Sequence, residues 1–127
     1  VTASSDTIDL AVAAAAAADD KLAQDVIAFD VSDQIGIADV FLLCSGATDR
    51  QVKAIVDAVE QALRDRVGRP VRREGEREAR WVLLDYVDLV VHVLQPDDRQ
   101  YYALERLWKD CPVLDVAPAA IGGDSGP

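Results

Sequence analysis

The stretch WVLLDYVDLVVHVLQPDDRQYYALERLW, residues 81–108, decides how this chain is read. Trp81 to Asp85 and Leu89 to Leu94 are apolar runs of β-prone residues. Tyr86, Val87 and Asp88 separate them, which predicts two strands joined by a short turn. Gln95-Pro96 breaks the pattern. Asp97 to Gln100 then has the form of a capping box, with Asp97 as cap of a helix carrying Tyr101, Leu104 and Trp108 at helical spacing. Strand alternation sets Trp81, Leu83 and Asp85 on one face and Val82, Leu84 and Tyr86 on the other, while Val90, His92 and Leu94 share a face. Both tryptophans and all three tyrosines fall inside this stretch. Such rings combine large apolar area with a polar handle, so the concentration suits either a core or a recognition face.

Working outward, Val40 to Ser45 is nearly all apolar and reads as a central strand covered on both sides. Thr48-Asp49-Arg50-Gln51 is a second capping-box form. It opens a helix with Val52, Ile55, Val56, Val59, Leu63 and Val67 on one stripe, which Gly68 and Pro70 end. Val71 to Glu74 reads as a short strand, with Gly75 in a turn. Seven arginines lie between residues 64 and 80, interleaved with Glu74, Glu76 and Glu78, as in a charged hairpin at a sheet edge. Toward the N-terminus, Ser5 is expected to cap an alanine-rich helix reaching about Lys21, with Asp6 and Asp9 near its positive end. Val26 to Val31 reads as the first strand, and residues 32–39 as a loop. Cys111-Pro112 ends the last helix, and residues 117–127 are expected to be a disordered tail. The element order α β β α β β β α predicts a single α/β (α+β layered) domain over residues 1–116, with about five strands flanked by helices.

Composition narrows the function classes. Half of the 127 residues are apolar, and the formal net charge is -10. Residues 1–49 hold nine Asp against one Lys, and residues 50–80 hold nine basic groups against six acidic ones. A surface this acidic repels phosphate backbones, which argues against bare, sequence-independent nucleic-acid binding as the main activity. A basic protein partner fits the charge, as does plain solubility. No apolar run approaches the ~20 residues of a membrane span. Cys44 and Cys111 form no CxxC or Cys/His cluster, so reduced thiols in a cytoplasmic protein are expected. The N-terminus shows neither a secretory nor a transit-peptide layout.

A search for catalytic groups returns little. His92 is the one histidine, with Val91 and Val93 beside it, and reads as a structural or surface residue rather than a catalytic one. Asp85 and Asp88 flank a turn; they have the chemistry to hold a hydrated metal, yet turn formation alone explains them. Ser45-Gly46 after a strand and before a helix invites comparison with nucleotidyltransferases. Those enzymes need convergent carboxylates, usually as D-x-D, and here Asp49 stands alone. No P-loop or GxGxxG is present. The expectation is no enzyme, no metal and no cofactor.

Residues 38–55, ADVFLLCSGATDRQVKAI, followed by residues 81–108, resemble the ribosomal silencing factor family, also called Iojap-like or DUF143. The matching pieces are Asp39, Ser45 with Arg50-Gln51, Glu74-Gly75, Trp81, Asp85-Tyr86, Val91-His92, Arg99, Tyr102, Leu104-Glu105 and Leu107-Trp108, in order over about residues 22–112. The chain departs from the pattern at Val87, where the family commonly has Gly, and in the extra charged residues between Gly75 and Trp81. The resemblance implies a mixed sheet, nucleotidyltransferase-like in fold but without the catalytic carboxylates. It also implies binding to the large ribosomal subunit through ribosomal protein L-fourteen, blocking of subunit joining under nutrient limitation, and self-association as a homodimer. A domain with a radius of gyration of ~13 Å does not fit between joined subunits, so occupancy alone would suffice. On this reading Trp81, Asp85, Tyr86, Arg99, Tyr102 and Glu105 supply the docking face. Asp39, Ser45, Arg50, Gln51, His92 and Trp108 are motif residues without an assigned role. Two alternatives stay open: a metal-dependent nucleotidyltransferase built on Ser45, Asp49 and Asp85, and a dimeric adaptor that does not act on ribosomes.

Overall fold

Val52, Ile55, Val59 and Leu63 recur at three- and four-residue spacing, which a helix turns into one apolar stripe. A computed structural model of the chain describes residues 3–33, 38–102, 106 and 109–116. In it that stripe is buried along the helix α2 (Asp49–Val67). Thr48 Oγ1 caps α2 by accepting the Gln51 N–H at 3.1 Å. Gln51 Oε1 accepts the Ala47 N–H at 2.7 Å, one residue before the cap. Its Nε2 donates to the carbonyls of Lys21 and Leu22, both at 3.0 Å, and so ties α2 to the end of the first helix.

That first helix, α1 (Ser5–Asp20), is capped by Ser4 rather than the expected Ser5. Ser4 has the extended backbone a cap needs, and its Oγ accepts the Thr7 N–H at 3.2 Å. Ala11, Ala14, Ala15 and Ala18 are buried, small enough to let α1 lie close to both α2 and the sheet.

The sheet has six strands in the order β3-β4-β5-β2-β1-β6. They are β1 (Gln24–Asp30), β2 (Val40–Ser45), β3 (Arg72–Glu74), β4 (Trp81–Asp85), β5 (Leu89–Leu94) and β6 (Val113–Leu114). Only β2 and β5 pair in parallel; every other pairing is antiparallel, so the sheet is mixed as expected. The sixth strand is an addition to the sequence reading. Two residues after a proline carry too little pattern to be told from a loop, and β6 forms by pairing with Ala28 and Phe29. The charged segment does make an edge strand, β3, against β4.

The last described helix, α3 (Pro96–Tyr102), starts two residues earlier than a cap at Asp97 requires. The Gln95 carbonyl accepts the Arg99 N–H at 3.1 Å, leaving Pro96 in the first helical position, where its missing N–H costs nothing. Two turns show why their sequences matter. Gly75 has φ +83, and a Cβ there would collide with the Trp81 carbonyl. Val87 has φ +76, a left-handed conformation that a β-branched residue rarely adopts. Asp85 Oδ1 holds that turn by accepting the Val87 N–H at 2.8 Å. The expected tail, and Leu104 and Trp108 of the expected last stripe, lie outside the described residues.

The cross-strand register sorts side chains into two layers. One face carries Leu42, Leu84, Val91 and Val93 against α1 and α2, and these four are fully buried. The other carries Phe29, Leu43, Val90 and Leu94, with Phe41, Trp81 and Leu83 only partly buried.

Candidate functional site

The second face is built by alternation in three neighbouring strands. Leu83 pairs across to His92, and His92 to Leu43, so these side chains stand in one row. Trp81 and Phe41 flank His92 on that face. The Trp81 Nε1–H donates to His92 Nδ1 at 3.1 Å, with ring centroids 6.1 Å apart. The Phe41 ring lies 5.1 Å from the imidazole, tilted by 51°. Burial pushes the His92 pKa down to about 4, so at neutral pH the ring is uncharged. An uncharged imidazole accepting at Nδ1 fixes the indole plane instead of titrating. The result is an aromatic patch whose central residue is locked and whose flanks, Phe41 and Trp81, reach the surface.

Asp85 sits at the far end of β4 on the same face, half-buried, and its other carboxylate oxygen lies 3.7 Å from Arg72 Nη2. Trp81 and Asp85 therefore share a face, as alternation requires. Tyr86 and Arg99, also expected in the docking set, do not join them at the surface. Tyr86 is buried on the helix side, where its hydroxyl finds no hydrogen-bond partner among the described residues. Burial there, with Glu60 adding to it, raises its pKa to about 12. Arg99 is only 7% exposed, and its Nη1 donates to Ser45 Oγ at 2.9 Å. Tyr102 closes α3, but its side chain lies outside the described residues, as do Glu105 and Trp108 entirely.

Two of the motif residues, Asp39 and Gln51, tie elements together. Asp39 Oδ2 accepts the Ser4 N–H at 3.2 Å, joining the start of α1 to the start of β2. Gln51 bridges the two helices as described. Arg50 is exposed on the first turn of α2. Phe41 was not among the expected site residues. Its alternation with Leu43 was legible, but its place beside His92 depends on β2 lying next to β5, which strand order alone decides.

The residues of the nucleotidyltransferase alternative are not assembled. Ser45 pairs across to Leu94 and Leu94 to Trp81, whereas Asp85 pairs with Val90 and Val90 with Phe41. Ser45 and Asp85 are thus four residues apart along the strands, roughly 13 Å, at opposite ends of the sheet. Asp49 Oδ1 accepts from Gln95 Nε2 at 2.6 Å, and Ser45 from Arg99. Among the described residues no three His, Cys, Asp or Glu side chains come together as a metal site. Cys44 and Cys111 are free and buried, and no described helix is long and apolar enough to cross a membrane.

Comparison with known proteins bears on the family and the fold. The family model described as "Ribosomal silencing factor during starvation" matches residues 4–124. A protein of Bacillus subtilis named ribosomal silencing factor RsfS is 46% identical over 103 residues, covering 81% of this chain and 87% of that protein. Its counterpart from Halalkalibacterium halodurans is 42% identical over 100 residues, covering 79% and 86%. A crystal structure of a protein from Chromobacterium violaceum superposes with a TM-score of 0.78 at 33% identity, covering 81% of this chain and 86% of that one.

Proposed function

Since the chain belongs to the ribosomal silencing factor family, a family of non-enzymatic regulators that act on ribosomes, we propose that it represses translation by occupying the large ribosomal subunit. It docks in the cytoplasm on ribosomal protein L-fourteen, on the surface that receives the small subunit, and excludes that subunit by bulk. The aromatic face carries this reading. Trp81 is half-exposed, oriented by a hydrogen bond to a buried neutral imidazole and flanked by Phe41 and Leu83. Large aromatic anchors fixed before contact lose little entropy on binding and dominate interface energies. Asp85 at the rim, and the acidic charge of the chain, orient encounter with a basic partner. Arg99 and Tyr86 are buried, Arg99 holding Ser45 and Tyr86 packing in the helix-side layer. Tyr102 and Glu105 extend it from the helix that follows. Self-association as a homodimer belongs to the same reading.

The test is sedimentation of the purified protein with separated ribosomal subunits. The expected result is co-migration with large subunits and none with small subunits. Migration with neither would overturn the reading and leave an adaptor unrelated to ribosomes.

A further inference from the structure

The charged corner at the β3 edge is not used by the aromatic face, and its composition is unlike the rest of the molecule. All seven of its basic residues are arginines, in a chain of net charge -10. Three are engaged: Arg72 with Glu74 and Asp85, Arg73 with Glu60 and Glu76, and Arg80 with Asp98. Arg64, Arg66, Arg69 and Arg77 are exposed and make no ion pair among the described residues. A cleft of about 570 Å³ opens here between the end of α2 and β3, with Arg64, Arg69 and Arg72 along its wall. The acidic groups in that wall, Glu60 and Glu76, are both claimed by Arg73. Helix-end electrostatics account for Arg64 and Arg66 in the last turn of α2, but not for Arg69 and Arg77 beyond it.

The corner is also continuous with the docking face. Arg72 lies directly across from Asp85, and Glu74 from Leu83, so these two share the face of Trp81, while Arg73 between them turns to Glu60 of α2, on the side where the cleft opens. We infer that the unpaired arginines of this corner grip the phosphate backbone of ribosomal RNA beside the docked protein. The inference rests on the large-subunit reading and adds a second contact to it. Guanidinium forks match phosphate oxygens in pairs, and unpaired ones give up no internal partner on binding. The acidic remainder of the surface keeps this contact from acting alone, so RNA binding follows protein docking and does not replace it.

The test compares the parent with a variant carrying Arg64→Gln, Arg66→Gln, Arg69→Gln and Arg77→Gln. All four positions are exposed, and circular dichroism checks that the variant is folded. Affinity for isolated large subunits is measured from about 50 to 200 mM salt. Every arginine–phosphate pair that the substitutions remove flattens the plot of log affinity against log salt by roughly 0.7–0.9. The variant should therefore bind large subunits roughly 100-fold more weakly at the low end, relative to the parent, than at the high end. It should bind isolated ribosomal protein L-fourteen as the parent does. Parallel slopes for parent and variant on large subunits overturn the inference while leaving the docking reading intact. An equal loss on the isolated protein also overturns it, because the arginines would then serve a protein contact. A parent that fails to bind large subunits at all instead removes the docking reading on which the inference stands.

Discussion

The two faces of the sheet are made from the same strands, yet they are filled differently. Toward α1 and α2 the side chains are mostly aliphatic, with Tyr86 at the margin, and Leu42, Leu84, Val91 and Val93 are sealed. Toward the other side stand Phe41, Trp81 and His92, with the two outer rings reaching solvent. Aliphatic packing rewards volume matched without gaps, while an aromatic patch held by a hydrogen bond rewards fixed orientation. On the proposed docking reading, stability and recognition divide between alternate residues of single strands. In β4, Val82 and Leu84 serve the first, and Trp81, Leu83 and Asp85 would serve the second.

That division can be broken most forcefully at Leu84. Leu84→Ala should cost about 4 kcal/mol of stability in denaturant unfolding, since nothing else fills the space against the helix layer. The molecules still folded should bind large subunits as tightly as the parent.

His92 probes the link between the faces by pH. Its folded pKa, about 4, lies below the ordinary histidine value, so the unfolded chain takes up the proton first as pH falls. Stability attributable to His92 is thus fully present above about pH 6.5 and declines down to about pH 4. The loss is roughly 3 kcal/mol at most. In His92→Asn, which keeps an acceptor for the Trp81 indole N–H, this component of the acid dependence of unfolding should vanish.

Trp81→Ala should do the converse of Leu84→Ala. Binding to large subunits weakens by about 2 kcal/mol, some 30-fold, while circular dichroism still reports a folded chain. If folded Trp81→Ala sediments with large subunits as the parent does, the division between the faces is wrong.

The smallest effect lies outside both faces. Val87 carries a left-handed φ that its branched side chain resists, so Val87→Gly should stabilise the chain by about 1 kcal/mol and leave binding unchanged.

Most of this layout was legible before any coordinates, because alternation and helical spacing are local. The stripe on α2 and the split between Trp81 and Tyr86 follow from periods of 3.6 and 2, and the cap at Thr48 from its capping box. What was not legible depends on long-range pairing. The strand β6 is two residues long and exists because β1 offers it an edge. The burial of Arg99 follows from α3 folding back over Ser45, 54 positions earlier, which no spacing reveals. The place of Phe41 beside His92 needed the parallel register of β2 and β5. Alternation had marked Tyr86 as facing away from Trp81, and the structure shows that this direction means burial.

The central claim, that the protein acts as an obstacle, is tested most directly by subunit joining. Purified large and small subunits are mixed under magnesium concentrations that favour joined ribosomes, with and without saturating protein, and resolved by sedimentation. The account predicts that joined ribosomes disappear in proportion to the large subunits occupied. Normal joining with the protein still bound to the large subunit would contradict it.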